Sequence, residues 1–574
     1  MQIFQSLTYP TKWVRRIASC TRGGALKSLL LIAGVTLLLS PAAEAGHSVP
    51  VADQALLKAG ERMYRDGILP DGKPMKALVR DDVEIDSTIF SCTNCHTRSG
   101  LGSLEGEVAS PPVSGPYLFS NRYQYKDYLK NYLAKRKGVD RSAIPVRPAY
   151  DDTSLSRAIS FGVNPAGREF IPVMPRYELT DSDMQALTTY LRSLSATPSP
   201  GVDDDTMHIA TVIAGEVPRE KRDAMLLPLQ RLVEQNRQAA SLKKNPRYQK
   251  FARMLDEAFF RRLRLSVWEL KGDPSTWNTQ LQELYRKDPP FALVGGISQG
   301  DWQPVHDFCE TMQLPSILPI TDYPVVSDSG WYTLYFNRGF RQEGETAASY
   351  VASRLQPSQR VTIIGDGSKA SRLLAEGARS VFTEKGVSDV DYREVASPAD
   401  LSALVADLTP HTGALLLFTA NVSPILVSPR PTENLPGLTV LSASLSRGVI
   451  ENLPDNLKER LLFTWPYRLP QDEKRYADFK DTFLLGKVKL DATRIASRTF
   501  SMIHVFLIGL REMKLDFHRD TLIDQISMAQ DQYLPDFERL SFGPGQRYLS
   551  KGCYIVQVGK SNDTLIRKTD WVTY

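Results

Sequence analysis

Two regimes of hydrophobic patterning follow one another along the chain. From residue 207 onward, short apolar runs alternate with amphipathic stretches. His208–Ala214, Leu263–Glu269, Phe291–Gly296, Val361–Gly365, Leu415–Phe418 and Leu438–Leu441 read as strands. The stretches 220–240 and 276–287, one ending at Met312 and one ending near 384 carry the helical period. Apolar strands alternating with helices predict a parallel sheet covered on both faces. The segment 207–574 is too long for one such sheet, so two lobes are expected. Before it the chain is helical and rich in loops. Thr180, with Asp183 three residues on, reads as the N-cap of a helix carrying Met184, Leu187, Tyr190, Leu191 and Leu194 on its apolar face. Residues 196–206, rich in Pro, Ser and Asp, have no period and read as a linker.

The amino terminus has a pattern of its own. Residues 1–27 are polar and basic, 28–40 (SLLLIAGVTLLLS) are apolar, and Ala43-Glu44-Ala45 offers small residues for cleavage. That order reads as a secretory signal over 1–45, with an uncleaved anchor as the alternative. The apolar run is shorter than the ~20 residues that span a bilayer. Ile17-Ala18-Ser19-Cys20 precedes the apolar run, so it is not a lipoprotein box, and Arg15-Arg16 lacks the rest of a twin-arginine pattern. A periplasmic protein with no transmembrane segment after signal removal is expected.

Composition is that of a globular chain, 42% hydrophobic and 24% charged. The net charge of +5 belongs mostly to Lys12, Arg15, Arg16, Arg22 and Lys27 in the leader. The remainder is nearly neutral, which excludes the basic footprint of a nucleic-acid binder.

Candidate chemistry enters with the cysteines. Cys92-Thr93-Asn94-Cys95-His96 is C-x-x-C-H, the attachment pattern of one covalent c-type haem. Two thiols one helical turn apart can each form a thioether to a vinyl group, and the adjacent His supplies an axial nitrogen. A redox-active thiol pair is weaker, because no strand–helix unit surrounds the motif. A zinc site wants further Cys or His nearby. For the second axial position, Met174 sits in a loop stiffened by Pro172 and Pro175. Met184 is the rival, but its spacing with Leu187 and Leu191 favours core packing. His/Met ligation favours electron transfer. Cys309 and Cys553 either pair or stay as buried thiols. His306, three residues before Cys309, reads as a surface helix residue.

Residues 50–195 resemble a class I c-type cytochrome domain. The resemblance rests on an opening helix with Gly60 and Tyr64, the haem motif, Pro111-Pro112, Met174-Pro175-Arg176-Tyr177, and the closing Tyr190-Leu191-Arg192-Ser193-Leu194. It implies an all-α domain over 46–195 whose first and last helices cross at Gly60, and a Pro carbonyl that orients the ring of His96. An insertion is expected at 116–150.

Gly365-Asp366-Gly367-Ser368 lacks the third spaced Gly of a dinucleotide site and reads as a plain strand-to-helix turn. The element order over 207–574 resembles a type I periplasmic binding protein of the branched-chain amino-acid kind. The matching stretches are Ala292–Ser298, Leu314–Pro319, Trp331–Gly344 and the strand at 361–365. The resemblance implies two lobes with a ligand cleft at the strand carboxyl ends. Ser298 and Thr321 fall where loop hydroxyls grip the ligand, and Asn421 lines the facing lobe; each also reads as an ordinary turn residue. Trp302 departs from the pattern and is expected to fill the pocket.

Together these readings predict a periplasmic electron carrier rather than an enzyme. Its second module docks redox partner proteins or binds a small solute such as an amino acid or organic acid. The alternatives are a solute receptor with haem as accessory, and an accessory subunit of a periplasmic dehydrogenase.

Overall fold

The computed structural model describes residues 51–573, apart from 81–82, 107, 124–145, 243–260, 328–329, 410, 424, 426–434, 474–492, 514–515, 530, 532–533, 535, 539, 544 and 563. The expected leader and most of the expected insertion lie outside the described residues.

The N-terminal module runs α1 (Val51–Asp66), β1 (Lys76–Val79), β2 (Val83–Asp86), α2 (Cys92–His96), β3 (Ser103–Glu105), β4 (Val108–Ser110), β5 (Arg122–Tyr123), β6 (Val146–Arg147), α3 (Asp152–Phe161), β7 (Arg176–Tyr177) and α4 (Asp181–Ser193). The expectation of an all-α module is therefore corrected. Among the described residues three small antiparallel sheets, β2-β1-β7, β3-β4 and β5-β6, stand among the helices. Strands of two to four residues are too short to print a period of two on the sequence.

The helices follow their caps. Thr180 Oγ1 accepts the Asp183 amide at 3.2 Å and opens α4. An Asp151/Ser154 capping box opens α3, and Gly162, at φ +67°, closes it. α1 and α4 touch at Gly60, where a Cβ would lie 2.1 Å from Ala186 O and 2.7 Å from Tyr190 Cβ. Only glycine lets two helix backbones approach that closely. Met63, Tyr64, Leu187 and Met184 fill the core around the crossing, so Met184 packs as its spacing indicated.

The C-terminal module has two lobes. The first holds β8 (Thr206–Ala214), α5 (Arg219–Leu242), β9 (Arg262–Leu270), α6 (Trp277–Lys287), β10 (Ala292–Val294), β11 (Ile297–Ser298), α7 (Gln303–Thr311), β12 (Ser316–Ile317) and β13 (Thr333–Leu334). β9 pairs with one edge of β8, and β10 and β11 pair with the other, all in parallel. β12 and β13 extend the sheet beyond β10. β8 is buried along nearly its whole length, as a parallel strand covered on both faces must be.

The second lobe holds α8 (Phe340–Ala352), β14 (Arg360–Gly365), α9 (Lys369–Glu384), β15 (Val390–Glu394), β16 (Thr412–Phe418), β17 (Leu438–Ser442) and β18 (Leu461–Trp465). The chain then gives α10 (Thr493–Met513), packed on α5 of the first lobe, and α11 (Arg519–Ser527), packed on α10. It returns to the second sheet as β19 (Gly552–Val558), β20 (Leu565–Arg567) and β21 (Val572–Thr573). The order β15-β14-β16-β17-β18 is parallel, and β19 and β20 close it antiparallel.

Two of the crossings between lobes pair with each other. Tyr335 N donates to Arg547 O at 2.8 Å, Leu549 N to Tyr335 O at 3.1 Å, and Ser550 N to Phe336 O at 2.7 Å. One apolar cluster, with Phe291, Phe336, Phe463, Phe506 and Phe537, runs through both lobes. Among the described residues no helix is long and apolar enough to cross a membrane.

Candidate functional site

The C-x-x-C-H motif folds as the single-turn helix α2, so Cys92 and Cys95 lie one turn apart with His96 at its end. Both thiols are free. Burial pushes the Cys92 thiol up to about 11, against the Tyr177 hydroxyl that bonds it. His96 is buried, and its Nδ1 lies 2.9 Å from Pro111 O. A carbonyl can only accept, so Nδ1 carries the proton and the Nε2 lone pair is free. Burial holds the imidazole below its ordinary pKa, against the bond to Pro111, and so favours the neutral ring.

Thr97 caps the helix at φ +60°, ψ 170°, a region that L side chains rarely enter. It is held by its amide to Thr93 O (3.0 Å), by the Tyr64 hydroxyl on its carbonyl (2.7 Å), and by the Leu101 amide on its Oγ1 (3.2 Å). The chain thereby turns sharply just after His96.

The Met174 loop is wrapped on Arg176. The Arg176 guanidinium bonds the Met174 carbonyl and reaches Phe170 O at 3.4 Å. It also lies against Gly162, where a Cβ would fall 2.0 Å from Cζ. Tyr177, three residues past Met174, pairs with Ala77 in β1 and bonds Cys92, which joins this loop to the motif. Several large apolar side chains in the flanking segments are exposed: Ile89, Leu104, Phe161, Ile171 and Val173. Two free thiols, an imidazole with an open Nε2, a half-buried thioether and uncovered apolar side chains fit a haem.

The second candidate site is the cleft at the strand carboxyl ends. Ser298 N bonds Ile320 O at 3.2 Å, which sets Ser298 beside Thr321. Ser298 Oγ accepts the Gly300 amide at 3.1 Å, and Thr321 Oγ1 accepts the Tyr323 amide at 3.0 Å. Asn421 stands in the other lobe, exposed, with its Oδ1 accepting the Ser423 amide at 3.2 Å. All three side chains thus serve their own turns. What spans the lobes is an ion pair, Lys369 Nζ to Asp301 Oδ1 at 3.0 Å, with the Lys369 ammonium also 5.4 Å from the Tyr323 ring centre.

Residues 261–563, more than half of the chain, match the family model described as Periplasmic binding protein. The chain belongs to this family. Residues 87–195 of the same chain match the family model described as Cytochrome c, which implies a covalently bound haem c. Solved structures similar to the binding-protein part include an ABC transporter substrate-binding protein from Sphaerobacter thermophilus (13% identity, 64% of this chain and 98% of that one, TM-score 0.49). Others are a fatty acid ABC transporter substrate-binding protein from Thermomonospora curvata (11%, 66% and 95%, TM-score 0.44) and a solute-binding protein from Rhodopseudomonas palustris BisB5 in complex with 3,4-dihydroxy benzoic acid (13%, 64% and 98%, TM-score 0.46). No curated protein matches the chain.

Two expectations in the binding-protein module are corrected. Trp302 is fully buried against Gly296, where a Cβ would lie 2.7 Å from its Cη2; it packs in the core of the first lobe instead of filling the cleft. His306 is not on the surface but buried, with its Nδ1 3.0 Å from the Tyr335 hydroxyl. Residues that the sequence reading left without a role are Arg176, Tyr177, Asp301 and Lys369. For Lys369 a signal existed: it follows Gly365–Ser368 at the carboxyl end of a parallel strand, the general place for ligands in such sheets.

Proposed function

We propose that this chain is a periplasmic c-type cytochrome that transfers electrons, with a binding-protein module that docks a redox partner or captures a small solute. The observation that carries the reading is His96: Nδ1 is anchored on Pro111 O at 2.9 Å and Nε2 is left free, next to Cys95 and one turn from Cys92, whose thiols are both free. Cys92 and Cys95 would hold the porphyrin, and His96 and Met174 would hold its iron. A haem bound in this way supplies one-electron redox chemistry. The chain's own part is to position the donors. Pro111 fixes the tautomer and plane of His96, as partners of metal-bound histidines do. Tyr64 and Thr97 set the turn behind it, and Arg176 holds the Met174 carbonyl. If His96 and Met174 both held the iron, the site would carry electrons and would not turn over substrate, and on that ground the chain is read as a carrier and not an enzyme. Export fits residues 1–45 acting as a cleaved signal.

The test is the visible spectrum of the protein after export with haem maturation. One haem per chain is expected. Met174→Ala should abolish the far-red band of a thioether on ferric iron, and Cys92→Ser with Cys95→Ser should leave the protein colourless. A colourless wild type would sink the reading.

A second reading, a solute receptor with haem as accessory, is favoured by the cleft bridged by Asp301 and Lys369. Melting curves with amino acids and small organic acids separate the two. Marked stabilisation by one solute supports the receptor. Fast reduction by a periplasmic dehydrogenase without any solute response supports the carrier or an accessory dehydrogenase subunit.

A further inference from the structure

The residues just after His96 are seated in the binding-protein module. The Arg98 guanidinium lies 4.9 Å from the Trp331 ring centre and 5.4 Å from that of Tyr332, with Nε 3.8 Å from Asp520 Oδ1. Ser99 N donates to Asp524 Oδ2 at 2.8 Å in a buried bond. Asp520 also pairs with Arg65 of α1 at 2.9 Å. The contact therefore combines charge, aromatic stacking and a buried hydrogen bond around the segment that follows His96.

The same aromatic side chain reaches the crossing segments. Arg547 places its guanidinium 3.8 Å from the Trp331 ring centre. Its carbonyl accepts the Tyr335 amide, the first bond of the ladder between the two crossings. Trp331 itself lies four residues before Tyr335 on the other crossing. Two-lobed proteins bend at a few residues of such crossings. A bend here moves Trp331 or Arg547, and Arg98 rests on that pair. At the cleft end, the lobes are held by Asp301 and Lys369.

We propose that lobe opening in the binding-protein module and the oxidation state of the haem site are energetically coupled through Arg98, Trp331 and Arg547. The proposal rests on haem attachment at Cys92 and Cys95. A one-electron change alters the charge beside His96 by one unit, and two guanidiniums stacked on one indole respond to it in a partly dry contact. Coupling of this kind is reciprocal: whatever closes the cleft shifts the midpoint potential, and reduction shifts the affinity of the cleft by the same factor.

The test needs no solute. Amide hydrogen exchange is measured on the full-length haem protein, fully oxidised and fully reduced. The amides of Tyr335, Leu549 and Ser550 should exchange at rates differing at least threefold between the two states. Arg98→Gln should remove that difference while leaving the haem spectrum intact, and Trp331→Phe, which keeps an aromatic face, should retain most of it. Equal exchange in both states in the wild type overturns the coupling, as does a difference that persists undiminished in Arg98→Gln. Absence of a haem spectrum in the wild type is a separate result, which overturns the haem assignment instead.

Discussion

Asp524 Oδ2 accepts the amide of Ser99 at 2.8 Å, across 425 positions of sequence and with both groups buried. Burial pushes the Asp524 carboxyl from 3.8 up to about 6, against the bonds from Ser99 and Thr97. Between about pH 4 and 6 the folded chain therefore keeps a proton that the unfolded chain has lost. The contribution of Asp524 to stability falls as pH rises through that window and is flat above it. The full effect is on the order of 3 kcal/mol for a shift of this size. Asp516, also pushed up to about 6 by burial, acts in the same window. Asp524→Asn keeps an acceptor for Ser99 and removes the charge, so urea unfolding of this variant should show a shallower fall across the window. A slope equal to that of the wild type would mean that Asp524 is not a titrating group.

Gly60→Ala places a methyl group where Ala186 O would stand 2.1 Å away and Tyr190 Cβ 2.7 Å away. Neither neighbour is the tip of a flexible side chain, so α1 and α4 must separate. Overpacking of this kind costs about 1–3 kcal/mol. The separation also strains the Tyr64 bond to Thr97 behind His96. The expected result is a lower melting temperature of the cytochrome module and reduced haem content on expression. Unchanged melting would show that the helices do not cross as closely as described.

Those two residues mark what the sequence could and could not reveal. Gly60 was legible, because an opening helix with one glycine and a tyrosine four residues on resembles a known crossing. Six strands of the two lobes were legible too, since apolar runs such as Leu415–Phe418 have few other uses, whereas two-residue strands such as β11, β12 and β13 left no such run. β1, β2 and β7 were not, because four residues or fewer carry no countable period. His306 was misplaced for a different reason: one polar residue on an amphipathic helix says nothing about its face until its partner, Tyr335, is known. The bond from Ser99 to Asp524, like the ion pair from Lys369 to Asp301, joins distant segments through single polar side chains. The place of Lys369 after a parallel strand carried a signal, but no local pattern announces the partner in either pair. The haem motif stood out because its chemistry fixes residue type, spacing and order all at once.

The remaining cysteines give a chemical test. Cys309 lies on α7 in the first lobe and Cys553 on β19 in the second, both fully buried and unpaired. Burial raises both thiols far above the ordinary range, against bonds from Ser316 to Cys309 and from Thr346 and Gln342 to Cys553. The thiolate is the reactive form, so neither should react with a thiol reagent in the native haem protein. On unfolding, both should titrate, while Cys92 and Cys95 stay silent as thioethers. Peptide mapping that found Cys309 joined to Cys553 would contradict the separation of the two residues in the fold.

Arg519 ties the junction together from below. Only 7% exposed, it sends Nη2 to Pro290 O (2.6 Å), Nε to Phe291 O (3.1 Å) and Nη1 to the Tyr285 hydroxyl (3.2 Å) and Met312 O (3.3 Å). Its own amide donates to Ser199 Oγ at 3.0 Å, on the segment expected as a linker. A planar fork of five donors suits this ring of carbonyls, and an ammonium with three donors on a flexible stem does not. Arg519→Lys should leave several buried carbonyls short of a donor and cost roughly 2–4 kcal/mol. The next residue, Asp520, pairs with Arg65, so loosening the start of α11 also loosens the grip on the cytochrome module. The haem spectrum should stay unchanged, because no contact of Arg519 reaches the donor set. Thermal unfolding should then begin earlier in the binding-protein module, and proteolysis should open the 196–206 segment before either module is cut. A variant that melts like the wild type and resists cleavage there would show that Arg519 does not hold the junction.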